Sequence, residues 1–308
     1  MRSQPSNPLE TEVAGLRLRN PTMLASGILG TTSDILRRAA QSGAGAVVTK
    51  SVGLKPREGY PNPTVVEVGC GLLNAVGLPN PGIQAFAEEI RDLGDLEVPL
   101  IVSVYGFSPE EYAEVAEAAV EAGADAVELN LSCPHVRGAG ADVGSRPELV
   151  SEIVERVKGV VDKPVFAKLT PNVSDIVGLA EAAVEAGADA LTAINTLRAM
   201  VIDVETARPI LSNKIGGLSG PAIKPVAVRC VYELHRELDV PIIGCGGVTS
   251  WRDAVEFMLA GASAVQVGTA VALKGLNIFR LITEGVKSYL ERKGYGSVRE
   301  IVGLSHRG

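Results

Sequence analysis

Six polar side chains stand where the chain leaves a run of aliphatic residues: Ser26, Lys50, Ser103, Asn130, Lys168 and Asn195. Two further runs leave on glycines, Gly246 and Gly268. An aliphatic segment has no packing reason to finish on two lysines and two asparagines, because each must be hydrogen-bonded or solvated at some cost. A wet rim explains any one of them, whereas a ligand site explains the set. Cys133 lies in ELNLSCPHVRG (128–138), just past one of these ends, among polar residues and before a proline that stops helical continuation. An unperturbed thiol has a pKa of about 8.5, so it could accept a proton near neutral pH if its surroundings allow. Cys230 and Cys245 read as small packing residues, and Cys70, in a glycine-rich loop, is open on sequence alone.

Glycine-rich ends add a second chemistry. GCGGV (244–248) and VGT (267–269) let backbone N–H groups approach a ligand and leave a helix N-terminus open to an anion, and GGLSG (216–220) adds a third such turn. Each alone is an ordinary turn; together they point to a phosphorylated ligand. Of the three histidines only His135 falls in a candidate site loop, since His235 sits in a helical run and His306 in the tail, which argues against a Ser-His-Asp hydrolase. No G-x-G-x-x-G follows a strand, so a dinucleotide has no Rossmann seat. The cysteines form no C-x-x-C pair, so neither a zinc ribbon nor an iron–sulfur cluster is expected on this chain.

The elements that must position these residues repeat. SGAGAVVTK (42–50), AGADAVELN (122–130), AGADALTAIN (186–195) and GASAVQVGT (261–269) each read as a helix end, capped by glycine, followed by a buried strand. VPLIVSV (98–104), KPVFAKL (163–169) and VPIIGCG (240–246) are strands entered through proline, and NPTMLAS (20–26) is the opening strand. Helix starts follow at Ser108 with Glu111, at Ser174, and at Ser250 with Asp253, each serine a candidate cap. A closing helix over 278–290 places Ile278, Ile282, Val286 and Tyr289 on one face. Eight strands alternating with eight helices predict an α/β fold, a (β/α)8 TIM barrel spanning 1–308 as a single domain. The connections 51–83, 131–146 and 196–219 are long and follow strands 2, 4 and 6, where barrels carry their chemistry.

Bulk properties agree. The 308 residues are 46% hydrophobic and 4% aromatic, an aliphatic-cored composition. A net charge of −7 without blocks of like charge argues against nucleic acid as a partner. No run has the length of a signal peptide or membrane span, so a cytoplasmic protein with reduced thiols is expected.

The motifs NLSCPHV, AVGLPNPG (75–82), VFAKLTPNV (165–173), AINT (193–196) and GCGG with VGTA resemble the class 1 dihydroorotate dehydrogenases, in order and across essentially the whole chain. That resemblance implies one FMN per chain and oxidation of dihydroorotate to orotate in pyrimidine biosynthesis. Cys133 would remove the C5 proton while C6 passes a hydride to the flavin. It assigns orotate contacts to Lys50, Asn74, Ala75, Val76, Gly77, Leu78, Asn130, Asn195 and Thr196. It assigns FMN contacts to Ser26, Lys50, Ser51, Ser103, Asn130, Lys168, Ile194, Gly220, Gly246, Gly247, Gly268 and Thr269. No metal is implied.

The Asn195–Thr196 pair and the NAVGLPNPG loop look more like the NAD-linked class 1B than the fumarate-linked class 1A. Class 1B implies a partner subunit carrying FAD and a [2Fe–2S] cluster, around a homodimeric core within a heterotetramer. His135 stands where the family often has Asn, and Ser103 where Asn commonly touches the flavin. A phosphate-binding lyase or isomerase without flavin, and a non-catalytic binding barrel, are the alternatives from other classes.

Overall fold

A computed structural model describes residues 7–131 and 144–307. Eight parallel strands close into a barrel: β1 (Thr22–Leu24), β2 (Ala46–Val48), β3 (Leu100–Val104), β4 (Ala126–Asn130), β5 (Val165–Lys168), β6 (Ala190–Ala193), β7 (Ile242–Cys245) and β8 (Ala264–Val267). Each pairs with its sequence neighbours, and β8 closes on β1 through Val265, Gln266 and Val267. Apart from half-buried Cys245, every strand residue is buried, as expected for strands covered on both faces. This is the (β/α)8 barrel expected from the alternating pattern.

Helices surround it: α1 (Ser33–Gln41), α2 (Ile83–Asp92), α3 (Pro109–Ala122), α4 (Pro147–Lys158), α5 (Ile176–Glu185), α6 (Lys224–Glu237), α7 (Trp251–Ala260), a short α8 (Thr269–Lys274) and α9 (Ile278–Lys293). Helix α3 starts as expected, Ser108 Oγ accepting from Glu111 N–H at 3.3 Å. It ends at Gly123, whose φ of +120° favours glycine.

Three local expectations are corrected. The cap of α5 is Asp175 rather than Ser174, its carboxylate accepting from Gly178 N–H at 3.0 Å, an acceptor that carries charge. Ser250 precedes α7 but donates its hydroxyl to Asp253 at 2.9 Å instead of accepting from the helix. On α9 the buried stripe is Ile278, Ile282, Val286 and Leu290, Tyr289 being only partly covered.

The barrel interior is layered. Its lower half is apolar, with Met23, Ala46, Ile101, Phe166 and Ile243 in one cluster. That cluster includes Val13 and Leu18 of an N-terminal hairpin, Thr11–Val13 with Leu16–Leu18, which plugs this end. The hairpin turns through Ala14 and Gly15, both at positive φ, the geometry that matches the twist of the paired strands.

At the opposite end, two long connections are not irregular loops. Segments Val65–Val68 and Gly71–Asn74 from the connection after β2 pair with Ile215–Ser219 and Leu197–Met200 from the connection after β6. The result is a four-stranded antiparallel roof with its own small core of Leu73, Ala75 and Leu211. The connection after β4 lies mostly outside the described residues.

Candidate functional site

The cavity lies between the C-terminal ends of the barrel strands and the roof. Period-two alternation along a strand sends residues i and i+2 to the same side. On β4, Ala126, Glu128 and Asn130 therefore point inward together, and β5 and β8 present Lys168 and Gln266. Above the apolar layer these side chains meet in a dry polar cluster. Lys168 Nζ donates to Gln266 Oε1 at 2.7 Å, Ser26 Oγ at 3.0 Å and Glu128 Oε1 at 3.2 Å. The other oxygen, Glu128 Oε2, accepts from Thr192 Oγ1 at 2.9 Å and from Gln266 Nε2. Burial disfavours the Lys168 charge, but the Glu128 carboxylate outweighs it and holds the lysine above its ordinary range, so it stays protonated.

A second chain of hydrogen bonds rims one side. Ser51 and Ser103 hydroxyls are 2.8 Å apart, Asn130 Nδ2 donates to Ser51 Oγ at 3.0 Å, and Asn195 Nδ2 donates to Asn130 Oδ1 at 3.3 Å. Tyr112 on α3 fixes this strand end from behind, its hydroxyl donating to Asn130 O at 2.9 Å. The chain orients amide groups that can both donate to and accept from a planar polar ligand.

Lys50, at the end of β2, is the contrasting cation. It lines the cavity, has no carboxylate partner among the described residues, and burial alone lowers its pKa. A half-buried, uncompensated ammonium facing a cavity is a seat for an anion.

The glycine-rich side is built for close approach. Gly246 and Gly247 have φ of +124° and +82°, and a Cβ on Gly247 would lie 2.7 Å from Lys224 Cβ and 2.9 Å from Gly220 O. Beside them Gly268 precedes α8, and Thr269 Oγ1 donates to Ser219 Oγ at 2.8 Å. The turn is held by Asp253, which accepts from Thr249 N–H and hydroxyl, Ser250 and Lys224 at 2.8–3.0 Å. Burial works against the Asp253 charge, but the hydrogen bonds from Lys224, Thr249 and Ser250 prevail and hold its carboxyl below the usual range.

Most of the residues singled out from sequence line this one cavity: Ser26, Lys50, Ser51, Asn74, Val76, Gly77, Leu78, Asn130, Lys168, Ile194, Asn195, Thr196, Gly220, Gly246, Gly247, Gly268 and Thr269. Two do not. Ser103 is fully buried behind Ser51, and Ala75 is packed in the roof core. Serine at 103 is too short to pass Ser51, so its hydroxyl reaches the cavity only through that neighbour. Cys133 and His135 lie outside the described residues. Cys245, read as a packing residue, lines the cavity floor, where burial pushes its thiol up, opposed in part by Lys168. Cys230 is fully buried on α6 as expected, and Cys70 is exposed beside the roof hairpin.

Sequence reasoning missed Glu128, Gln266 and Thr192. Among the described residues, no cluster of His, Cys, Asp and Glu could hold a metal ion, and no helix is long and apolar enough to cross a membrane.

Comparison with known proteins decides the family. The family model for dihydroorotate dehydrogenase matches residues 8–290. This chain belongs to the dihydroorotate dehydrogenase family. Among its relatives, the protein named dihydroorotate dehydrogenase B (NAD(+)), catalytic subunit, of Pyrococcus furiosus is 58% identical over 299 residues, 97% of this chain and 99% of its own length. The protein of the same name from Methanothermobacter thermautotrophicus is 57% identical over 97% of this chain and 98% of its own length. That of Methanosarcina acetivorans is 53% identical over 96% of this chain and 95% of its own. Within the family the resemblance to class 1B is therefore supported along the whole barrel, the roof strands included.

Proposed function

We propose that this chain is the catalytic subunit of an NAD-linked dihydroorotate dehydrogenase, oxidising dihydroorotate to orotate in pyrimidine biosynthesis. The observation that carries the reading is one cavity with a dry cation, Lys168, on its floor, a glycine cradle on one side and an uncompensated cation, Lys50, on the wall, in a chain of this family. These residues fit FMN. Gly246 and Gly247, at positive φ, and Gly268 and Thr269 at the start of α8 line one side of the cavity, where the glycine backbone, without side chains, would let a phosphate approach closely. Bound FMN supplies the hydride acceptor that the chain's own side chains cannot provide.

The remaining work falls to the protein. Lys50 pairs with the substrate carboxylate. Asn130 and Asn195, already oriented through Ser51 and each other, present amide groups to the pyrimidine ring, with Asn74 above them in the roof. Roof and floor bound the cavity from opposite sides. Cys133, three residues past Asn130, takes the C5 proton, so that removal of the proton and departure of the C6 hydride leave the ring C=C bond. Lys168, protonated on the cavity floor, would offer positive charge to negative charge developing on bound FMN.

The partner in this reading is a separate subunit bearing FAD and a [2Fe–2S] cluster, passing electrons to NAD, with two copies of this chain at the centre of a heterotetramer. The relatives' names favour NAD over the fumarate-linked alternative, and a flavin-free lyase finds no support in them. Free thiols at Cys70, Cys230 and Cys245 are consistent with a reducing cytoplasm.

An anaerobic absorbance spectrum of the purified chain, before and after dihydroorotate, tests the proposal. A flavin band that bleaches is expected. Cys133→Ala should keep the band and lose nearly all bleaching by dihydroorotate, while dithionite still reduces it. A protein that stays colourless when mixed with FMN would overturn the reading.

A further inference from the structure

The floor of the cavity holds, beside Lys168, a carboxylate to which the proposed reaction gives no part. Lys168 has three N–H donors, and Ser26, Gln266 and Glu128 take all three. Glu128 is completely buried and the Lys168 side chain is 4% exposed, so solvent screens neither. A carboxylate in such a place persists only because it is paired and hydrogen-bonded on both oxygens, which Lys168, Thr192 and Gln266 accomplish. The Glu128–Lys168 pair thus presents the cavity with an ammonium whose charge is largely cancelled from below. The uncancelled cation is Lys50, on the wall.

We propose that Glu128 is a positioning residue and counter-charge that, through its ion pair with Lys168, sets how much positive charge the flavin ring feels and hence its reduction equilibrium. The inference rests on the FMN reading above and concerns a residue to which that reading gives no part. Reduction of a flavin adds negative charge to the ring, so a cation beneath favours the reduced form and a neighbouring carboxylate opposes it. Glu128 therefore keeps the bound flavin less oxidising than Lys168 alone would make it, easing onward transfer of electrons.

The hydrogen bonds supply a clean test, because the acid and amide can be exchanged. In Glu128→Gln the new NH2 group faces the Gln266 NH2, and the negative charge is gone. In the double variant Glu128→Gln with Gln266→Glu, the carboxylate returns on β8, and one amide and one carboxylate again share Lys168. The readout is the two-electron reduction equilibrium of bound FMN, titrated on the FMN-loaded full chain at pH 6 and pH 9 without dihydroorotate.

Glu128→Gln is expected to shift that equilibrium toward the reduced form on the order of tenfold at pH 6, which is about 30 mV for a two-electron couple. The shift should shrink at pH 9, where Lys168, buried without its counter-ion, gives up its proton. The exchanged double variant should return to within roughly threefold of the unaltered protein at both pH values. If Glu128→Gln loads FMN and leaves the equilibrium unmoved at pH 6, the proposal falls. If Glu128→Gln fails to load, a double variant that loads with an unaltered equilibrium sustains it, and one that also fails overturns it. Failure of the unaltered chain to bind FMN at all would instead strike the functional reading, which separates the two.

Discussion

Lys50 and Lys168 face the same cavity in opposite electrostatic circumstances, and their consequences differ. Lys50 lacks a carboxylate partner among the described residues, so its charge is available to an anionic ligand. Lys50→Met should raise KM for dihydroorotate roughly 10- to 100-fold, the value of a charge-assisted hydrogen bond, while bound flavin remains reducible by dithionite. Because burial lowers the Lys50 pKa, substrate affinity in the unaltered enzyme falls as pH rises through a value below the ordinary lysine value of about 10.4. A KM profile flat to pH 10.5 would contradict the assignment.

At this scale the sequence was legible at the strand ends but not beneath them. The last residue of a strand marks the rim, and the residue two before it shares its side. Stepping back from Asn130 reaches Glu128, and from Gly268 reaches Gln266. That rule finds the floor cluster, but a glutamate inside AVELN carries no label that it turns inward until strand period and barrel closure are combined. Ser103 shows the reverse error: the correct side of the strand, one layer too deep to touch a ligand.

Elements fix the glycine cradle from outside. Lys224 on α6 bridges Asp253 and Glu256 on α7, and Asp253 in turn gathers the turn 249–250. Asp253→Asn should weaken FMN binding on the order of tenfold, as expected when hydrogen bonds to a charged group are lost. Since folding depresses the Asp253 pKa, its stabilisation is present above the unfolded carboxyl pKa, about 4, and is lost as pH falls through the folded value. The difference in Tm between the unaltered protein and Asp253→Asn should therefore be widest near neutral pH and narrow on acidification below pH 4. Gly247→Ala should fail to retain FMN, because its φ of +82° and the 2.7 Å approach to Lys224 Cβ leave no place for a methyl group. Sequence identified Ser250 before α7 as a cap, yet the Asp253 carboxylate three residues on proved the stronger acceptor and took its hydrogen together with those of Thr249. Local propensity names the residues at a helix start, whereas charge and burial decide which of them accepts.

For the whole molecule, the barrel was legible because glycine caps and proline strand entrances repeat along the chain. The roof was not, because LRAM and IGGLS are four and five residues long, and IGGLS pairs not only with LRAM beside it but with Gly71–Asn74, 143 residues earlier from Gly217 to Asn74. Gly216 shows how tightly that roof closes: a Cβ there would come within 2.6 Å of Leu211 Cδ1 and 2.7 Å of Asn74 O. Gly216→Ala should displace Asn74, raising KM for dihydroorotate several-fold through overpacking of about 1–3 kcal/mol, with FMN affinity little changed. Asn74 and Gly217, hydrogen-bonded across the roof, are separated by 143 residues. Closing a loop of that length costs entropy in an open chain, and far less once β3 to β6 have already brought its ends together. The floor also needs β7 and β8, which are made after every roof strand. A chain in synthesis can therefore have its lid before its seat, which waits for Gln266, and ligand capture, which stabilises only the folded state, selects molecules that have passed that point over those that have not.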